Sequence, residues 1–215
     1  MISFDHVSEG PMRDLSFDLV AGTRAKAIYD SDDWRNSFFA VITGLRRPAK
    51  GSVKWDGKDI YALEESERLT LFERSGVVPA DGGLISNLKA WENVMLPAWY
   101  HRGIAPLQAE RKVIDLFRQL GLTEAGLQRQ MGRLPDQLTM YEKRAVALVR
   151  AMLMEPDILL YDSLFTGLDR ESSNQFLSVT GEYHEKKAGR ISLYLCADDA
   201  VSARLTTDQT ITLAH

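Results

Sequence analysis

Three aspartates, an arginine and a serine lie close together in segment 30–37: Asp30, Asp32, Asp33, Arg35 and Ser37. Clustered carboxylates repel a phosphate group, whereas an arginine attracts one. A carboxylate at the start of a helix also satisfies unpaired backbone N–H groups and the helix dipole. We therefore interpret this segment first as a helix start that Asp32 or Asp33 caps.

A second polar pair, Asp162 and Ser163, follows the apolar run 158–161. The run is typical of a strand buried on both faces, and this places the carboxylate at the end of the strand. A serine hydroxyl is too weak a base to activate water near neutral pH. General-base catalysis is therefore not expected from the residue that follows the carboxylate.

Other polar residues have simpler interpretations. Thr139 and Glu142 have the spacing of a capping box in front of a mainly apolar helix. The four histidines are isolated in the sequence with no i, i+4 pair, so no metal site is expected; they are His6, His101, His184 and His215.

Composition excludes some classes of function. The chain has 26 basic and 30 acidic residues and a formal charge of -4, which gives no general attraction to nucleic acid. The single cysteine, Cys196, cannot form an internal disulfide, and the first residues lack the pattern of a signal peptide. Apolar runs are far shorter than the ~18 residues that cross a bilayer. We expect a cytoplasmic protein that contacts a membrane only through a partner.

These polar residues need a scaffold of alternating strands and helices. Hydrophobic patterns predict strands at 2–7, 15–19, 24–29, 158–161 and 191–196, and a hairpin that turns at Asp56-Gly57. Helices are predicted at 31–45, 140–154 and 171–186, with another that ends at Gly121. Strands that alternate with helices favour a parallel sheet.

The order of these elements resembles the ATP-binding subunits of ABC transporters from end to end. Segments 42–45 and 51–60 are similar to the stretch after the family's P-loop, and 92–94 with 96–97 to the opening of its helical lobe. Segment 144–169 carries the most specific likeness. The resemblance implies an α/β, P-loop NTPase-like core with a mixed sheet, an antiparallel β lobe and a helical lobe.

The resemblance also implies one ABC-ATPase-like domain over residues 1–215. Residues 1–80 and 155–215 would form the β lobe and the α/β core, and residues 81–154 the helical lobe. Segment 96–101 is similar to the ATPases of MCE-type lipid transport systems.

Alignment with the family places the P-loop, G-x-x-x-x-G-K-[ST], at residues 29–36. Both glycines are absent; Trp34 occupies the second glycine position and Arg35 the lysine position, followed by Asn36. Ser37, one place further on, still offers a hydroxyl. Besides the helix-start interpretation, the carboxylates and Trp34 could imitate an occupied site and hold a bound-like shape without nucleotide.

The family's catalytic positions are also changed. The resemblance makes Asp162 the Walker B aspartate and places the catalytic glutamate at Ser163. Ala80 occupies the position of the Q-loop glutamine, and Ala197 that of the switch histidine.

The family's signature, L-S-G-G-Q, aligns with Leu138 and the four residues after it, Thr139, Met140, Tyr141 and Glu142. Its two glycines are absent, which leaves either a plain capping box or a weakened contact with ATP on a partner. Asp169 retains the D-loop pattern, which in the family lies across a dimer interface. The alternative is that this loop only provides turn geometry.

The resemblance predicts a pseudo-ATPase subunit that pairs with an active paralogue or with itself. It would sit beneath an ABC permease, on the cytoplasmic face of the inner or plasma membrane. No cofactor is expected. ATP and magnesium would bind only if the site still functions. The alternatives are a slow ATPase that uses Arg35, Ser37 and Asp162 with other carboxylates as the base, or a scaffold outside transport.

Overall fold

The computed structural model describes residues 1–100 and 104–213, in which nine strands and seven α-helices form. The strands are β1 (Ile2–Glu9), β2 (Met12–Leu19), β3 (Arg24–Tyr29), β4 (Lys50–Trp55), β5 (Lys58–Asp59), β6 (Ser75–Val78), β7 (Ile158–Asp162), β8 (Ile191–Ala197) and β9 (Gln209–Leu213). The helices are α1 (Asp32–Ile42), α2 (Glu65–Phe72), α3 (Ala90–Tyr100), α4 (Pro106–Gln119), α5 (Glu124–Met131), α6 (Met140–Leu153) and α7 (Arg170–Glu185).

Four strands form an antiparallel sheet in the order β2-β1-β4-β5. The predicted hairpin joins β4 to β5, with Lys54 paired to Asp59 and Trp55 to Lys58. Asp56 and Gly57 both have positive φ, 49° and 80°. Such a turn matches the twist of paired strands, which is why an Asp-Gly pair forms it.

Five strands form a parallel sheet in the order β6-β7-β8-β3-β9. The predicted α/β fold is confirmed, with antiparallel and parallel pairs in separate sheets. The sequence patterns did not predict β6 or β9. β6 is only four residues long and contains Gly76, whose missing side chain leaves room for α6, because a Cβ there would lie 2.7 Å from the Ala151 carbonyl oxygen.

Two apolar cores hold the sheets and helices together. The first contains Trp34, Phe38 and Trp55 and is formed by α1, the antiparallel sheet and one face of the parallel sheet. The second contains Phe117 and Phe176 and is formed by the opposite face of that sheet with α3 to α7. Helix α6 is mainly buried, as its nearly all-round apolar pattern predicted.

Helices α3, α4, α5 and α6 follow one another in sequence and pack together. Asn93, fully buried on α3, ties down the preceding loop by accepting from the N–H of Ile85 and donating to carbonyls of that loop. The domain boundaries at residues 80 and 155 stay a prediction. In the described ranges, none of the helices combines the length and apolar character needed to cross a membrane.

Candidate functional site

The predicted site residues from distant parts of the chain meet at the carboxyl ends of the parallel strands. Tyr29, the last residue of β3, pairs with Ala197, the last residue of β8. Asp162 ends β7 beside Leu195, and Ala80 lies two residues after the end of β6. Parallel strands bring their carboxyl ends to one edge, which is where open α/β sheets bind ligands.

An ion pair between Arg35 and Asp162 lies at the centre of this edge. The Nη1 atom of Arg35 lies 3.1 Å from Oδ2 and 3.3 Å from Oδ1 of Asp162. The side chains are only 18% and 6% exposed, so water weakens their attraction little. The other guanidinium nitrogens donate to neighbours on the first turn of α1, Nε to Asp32 at 3.1 Å and Nη2 to Asn36 at 3.0 Å.

The Asp162 carboxylate has further partners. The Ser163 hydroxyl donates to its Oδ1 at 3.0 Å, and the backbone N–H of Ala80 also bonds to the carboxylate. Burial raises the pKa of the Asp162 carboxyl, and the positive charge of Arg35 partly offsets that rise. For the guanidinium, burial works against the charge, but the attraction of Asp162 raises the pKa of Arg35 overall. Asp162 is thus a buried structural acceptor.

Ser163 occupies a tightly constrained position. Its hydroxyl oxygen lies 2.9 Å from the Tyr29 hydroxyl, and its N–H donates to the Leu195 carbonyl at 2.8 Å. Its φ of 52° is in the left-handed region, which costs a non-glycine residue roughly 1–2 kcal/mol. The pairing of Tyr29 with Ser163 was not predicted, because no local pattern links residues so far apart in the chain.

Arg144 is a second residue whose role was not predicted from the sequence. It is 5% exposed on α6 and donates to three carbonyl oxygens, of Ala80, Leu164 and Thr166. Burial lowers the pKa of Arg144, although the charge of Asp162 acts in the opposite direction. The sequence contained one indication of this role, because Arg144 is a charged residue in a helix whose other residues are mainly apolar and were predicted to be buried. Arg144 joins the loops after β6 and β7 to α6.

Helix α1 begins differently from the prediction. Its N-cap is Ser31, without a side-chain hydrogen bond, and Asp32 and Asp33 lie in the first turn. The prediction that one of these aspartates is the capping residue is therefore wrong. Because both follow the N-cap, their carboxylates interact favourably with the positive end of the helix dipole rather than accepting the capping bond.

Trp34 and Ser37 are both buried on α1. Trp34, 5% exposed, belongs to the apolar core that contains Phe38. Ser37 is 6% exposed beneath the β1–β2 turn, where a Cβ on Gly10 would lie 2.5 Å from its hydroxyl oxygen. The hydroxyl predicted as a possible vestige of the P-loop is therefore covered by the antiparallel sheet.

The residues aligned with the signature form the predicted capping box at the start of α6. The Thr139 hydroxyl accepts from the N–H of Glu142 at 3.2 Å, and the Glu142 carboxylate accepts from the N–H of Thr139 at 2.7 Å. Arg133 donates to the other carboxylate oxygen at 3.1 Å. Met140 is exposed, and the Tyr141 hydroxyl donates to Gln175 on α7 at 2.9 Å.

Asp169 caps α7 by accepting a 2.8 Å hydrogen bond from the N–H of Ser172, and this bond lowers the pKa of Asp169. The geometry supports a role in the turn. A role at a dimer interface stays a prediction.

The histidines have local partners. His6 lies 2.6 Å from Asp14 on the surface, and His184 lies 2.9 Å from the Ser192 hydroxyl. The other two histidines, His101 and His215, lie outside the described residues. In residues 1–100 and 104–213, no three His, Cys, Asp or Glu side chains are grouped as metal ligands.

Comparison with known proteins identifies relatives of the chain. A family model described as ABC transporter matches residues 35–166. The lipoprotein-releasing system ATP-binding protein LolD of Syntrophotalea carbinolica is 30% identical over 84% of this chain and 76% of its own length. The methionine import ATP-binding protein MetN 1 of Acinetobacter baylyi is 26% identical over 95% of this chain, which spans 55% of that longer protein.

Solved structures share the fold. The dimeric structure of MJ0796, a bacterial ABC transporter cassette, superposes with a TM-score of 0.85 at 20% sequence identity. The superposition covers 99% of this chain and 95% of the cassette. At this identity the likeness concerns the fold alone.

Proposed function

The chain belongs to the ABC transporter family, and from that premise we propose that it is a nucleotide-binding-domain-like subunit that no longer hydrolyses ATP. The observation that carries the proposal is the ion pair of Arg35 with Asp162 at the edge of the parallel sheet. A carboxylate that helps to hold magnesium needs a free oxygen, whereas both oxygens of Asp162 accept from Arg35. The positive charge beside Asp162 thus comes from Arg35 and not from magnesium.

The proposal also rests on the lack of a general base. Ser163 follows Asp162, and its hydroxyl is engaged by that carboxylate and lies within hydrogen-bond distance of Tyr29. Ala80 and Ala197, at the two neighbouring strand ends, have methyl side chains that cannot orient water. Without a basic side chain at these positions, in-line attack of water on a phosphate has no proton acceptor where the family places one.

Mg-ATP fits this edge poorly. A P-loop wraps phosphates with backbone N–H groups that glycines leave accessible, and here the loop between β3 and α1 contains no glycine. Asp30, Asp32 and Asp33 are exposed beside the strand ends and would face about four negative charges of a bound ATP. The guanidinium of Arg35, which could attract phosphate, is already paired with Asp162.

We extend the proposal to partners. The subunit would pair with a second nucleotide-binding subunit, either an active paralogue or another copy, and dock on an ABC permease at the cytoplasmic face of the membrane. The family membership and the dimeric state of the MJ0796 cassette support this arrangement. The net charge of -4 gives no support to a nucleic-acid partner.

Calorimetric titration of the purified chain with Mg-ATP tests the loss of nucleotide binding. We expect no saturable heat up to millimolar ATP and no phosphate release above the buffer rate. Micromolar binding by the lone chain would overturn the loss of nucleotide binding, and phosphate release above the buffer rate would overturn the loss of hydrolysis.

The variant Asp162→Asn distinguishes slow ATP hydrolysis by the chain itself from hydrolysis by a contaminating protein. If phosphate release by the wild-type chain disappears in this variant, the chain is a genuine ATPase and the proposal fails. Release that persists unchanged in Asp162→Asn comes from another protein, and the proposal stands. A thermal melt of each preparation verifies that the variant is folded.

A further inference from the structure

The loop that follows β6 connects the parallel sheet to the helices α3, α4, α5 and α6, and its first residues, 79–83, are held from both sides. On the side of the sheet, the backbone N–H of Ala80 bonds to the Asp162 carboxylate. On the side of the helices, Nε of Arg144 on α6 donates to the Ala80 carbonyl at 2.9 Å. Because Asp162 also pairs with Arg35, these contacts form a network that runs from Arg35 to Arg144.

The same loop lies against α6 too closely to accept a side chain at Gly82. A Cβ there would lie 3.0 Å from the Lys143 carbonyl oxygen, and the φ of 86° is one that other residues rarely adopt. The Gly82 carbonyl accepts from Nη2 of Arg150, further along α6, at 3.2 Å. Such close packing of backbone on backbone leaves the loop little room to move along the helix.

Arg144 also joins α6 to the loop that follows β7, the neighbouring strand. Its Nη1 atom donates to the carbonyls of Leu164 and Thr166. The side chain is mostly buried, and burial lowers its pKa. A movement of α6 away from the strand ends would leave a buried guanidinium group without these acceptors, which native structures avoid. One side chain thus fixes α6 against the loops of two adjacent strands.

The groups that a nucleotide would contact at this edge are already bonded within the chain. A ligand shifts a protein from one arrangement to another only by binding one of them more tightly. Both oxygens of Asp162 accept from Arg35. The other guanidinium nitrogens of Arg35 donate to Asp32 and Asn36. The network therefore needs no ligand to complete it.

We propose that the network from Arg35 to Arg144 holds α6 and the helices packed on it in one arrangement relative to the parallel sheet, whether or not a nucleotide is present. The subunit would then present a constant surface to its partners. This inference rests on the proposed function, because a bound Mg-ATP would compete with Arg35 for Asp162.

The distance between two spin labels tests the fixed arrangement. Lys58→Cys on β5 and Arg111→Cys on α4 place the labels at exposed positions, and Cys196→Ala removes the native thiol. We expect one narrow distribution of distances, the same without nucleotide and with millimolar Mg-ATP. Two populated distances without nucleotide, or a shift of the distance on addition of Mg-ATP, would overturn the inference.

Calorimetric titration of the same labelled protein separates this inference from the proposed loss of nucleotide binding. If Mg-ATP binds and the distance stays single and unchanged, nucleotide binding has persisted but the fixed arrangement stands. If Mg-ATP does not bind and two distances are populated, the loss of binding stands and the fixed arrangement is wrong.

Substitution of Arg144 tests whether the network is the cause. Arg144→Met should broaden the distance distribution and speed hydrogen exchange in residues 80–88 about tenfold or more, with exchange in β1 and β2 unchanged. A general loss of stability would instead speed exchange in both regions. Arg118→Met, on the exposed surface of α4, is the matched control and should change neither measurement.

Arg150→Met removes a single bond to the loop and remains informative if Arg144→Met does not fold. It should speed exchange in residues 80–88 by a smaller factor than Arg144→Met. Exchange and distances that match wild type in every folded variant would refute the role of the network.

Discussion

The carboxyl edge of the parallel sheet and the start of α6 differ in how their polar groups are satisfied. At the sheet edge, Arg35 and Asp162 are mostly buried and bond to each other. At the start of α6, Thr139 is exposed and Glu142 half-buried, and their bonds only cap the helix and hold Arg133. The first region joins charges from distant parts of the chain, whereas the polar groups of the second bond to neighbours within ten residues along the chain.

This difference separates two ways in which a nucleotide-binding fold can be altered. A buried charge cannot stay unpaired, so a carboxylate at the sheet edge needs a cationic partner, either a metal ion or a side chain such as Arg35. An exposed helix start is satisfied by its own capping side chains and by water. The sheet edge should therefore tolerate single substitutions much less well than the start of α6.

Asp162→Asn should have the largest effect on stability. The substitution keeps the shape of the side chain but leaves Arg35 without its anionic partner, and we expect a loss of roughly 2–3 kcal/mol in the free energy of unfolding. Urea denaturation followed by circular dichroism measures it. In a double-mutant cycle, adding Arg35→Met should cost much less in the Asp162→Asn background than in the wild type. Additive losses would mean that the ion pair contributes nothing to stability.

Arg144→Met should have the second-largest effect. We expect the free energy of unfolding to fall by about 2 kcal/mol, because three backbone carbonyls near the sheet edge lose their donor. The methionine retains most of the apolar contact, so the change isolates the hydrogen bonds. Arg118→Met, at an exposed position on α4, is the control and should stay within about 0.5 kcal/mol of wild type. Equal effects of the two substitutions would contradict the role given to Arg144.

Thr139→Ala should have a smaller effect, about 1 kcal/mol, since it removes one capping hydroxyl at an exposed helix start. Thr139→Ser keeps the hydroxyl and should restore most of the stability. A loss as large as that of Asp162→Asn would contradict the difference drawn between the two regions.

Asp169→Asn should change the pH dependence of the free energy of unfolding more than it changes the free energy of unfolding at neutral pH. The pKa of Asp169 is lowered by the N–H of Ser172, so its ionised form stabilises the fold above the ordinary pKa of an aspartate. That contribution is lost as the pH falls towards the lowered pKa, because the unfolded chain takes up the proton first. Stability of Asp169→Asn should therefore fall less steeply than wild type below about pH 4.

Thr139→Ala is the matched control for this measurement, because a hydroxyl does not titrate in that range. Its urea midpoint should be displaced by a similar amount at each pH between 7 and 3. If the stability of the Asp169→Asn variant falls with pH as steeply as that of wild type below about pH 4, the Asp169 cap does not depend on charge.

Much of the fold follows from local patterns in the sequence. The strand 24–29 was predicted at its observed limits, and the helix 140–154 within one residue, because each has a continuous apolar signal and a clear start. β6 and β9 were missed, since short strands at the edges of a sheet have no comparable periodicity. The start of α1 was placed on the wrong capping residue because Ser31, Asp32 and Asp33 all suit a helix N-terminus.

The sequence by itself determined that Ser163, Ala80 and Ala197 offer no basic side chain, since the residue types are fixed by the chain and no folding can turn them into bases. It also determined the capping box, because Thr139 and Glu142 interact over one helical turn. Only the tertiary structure decided that Arg35 pairs with Asp162 and that Arg144 holds three loop carbonyls. Those contacts join residues that are distant in the chain, and their partners are chosen by sheet order and by the cost of burying an unpaired polar group.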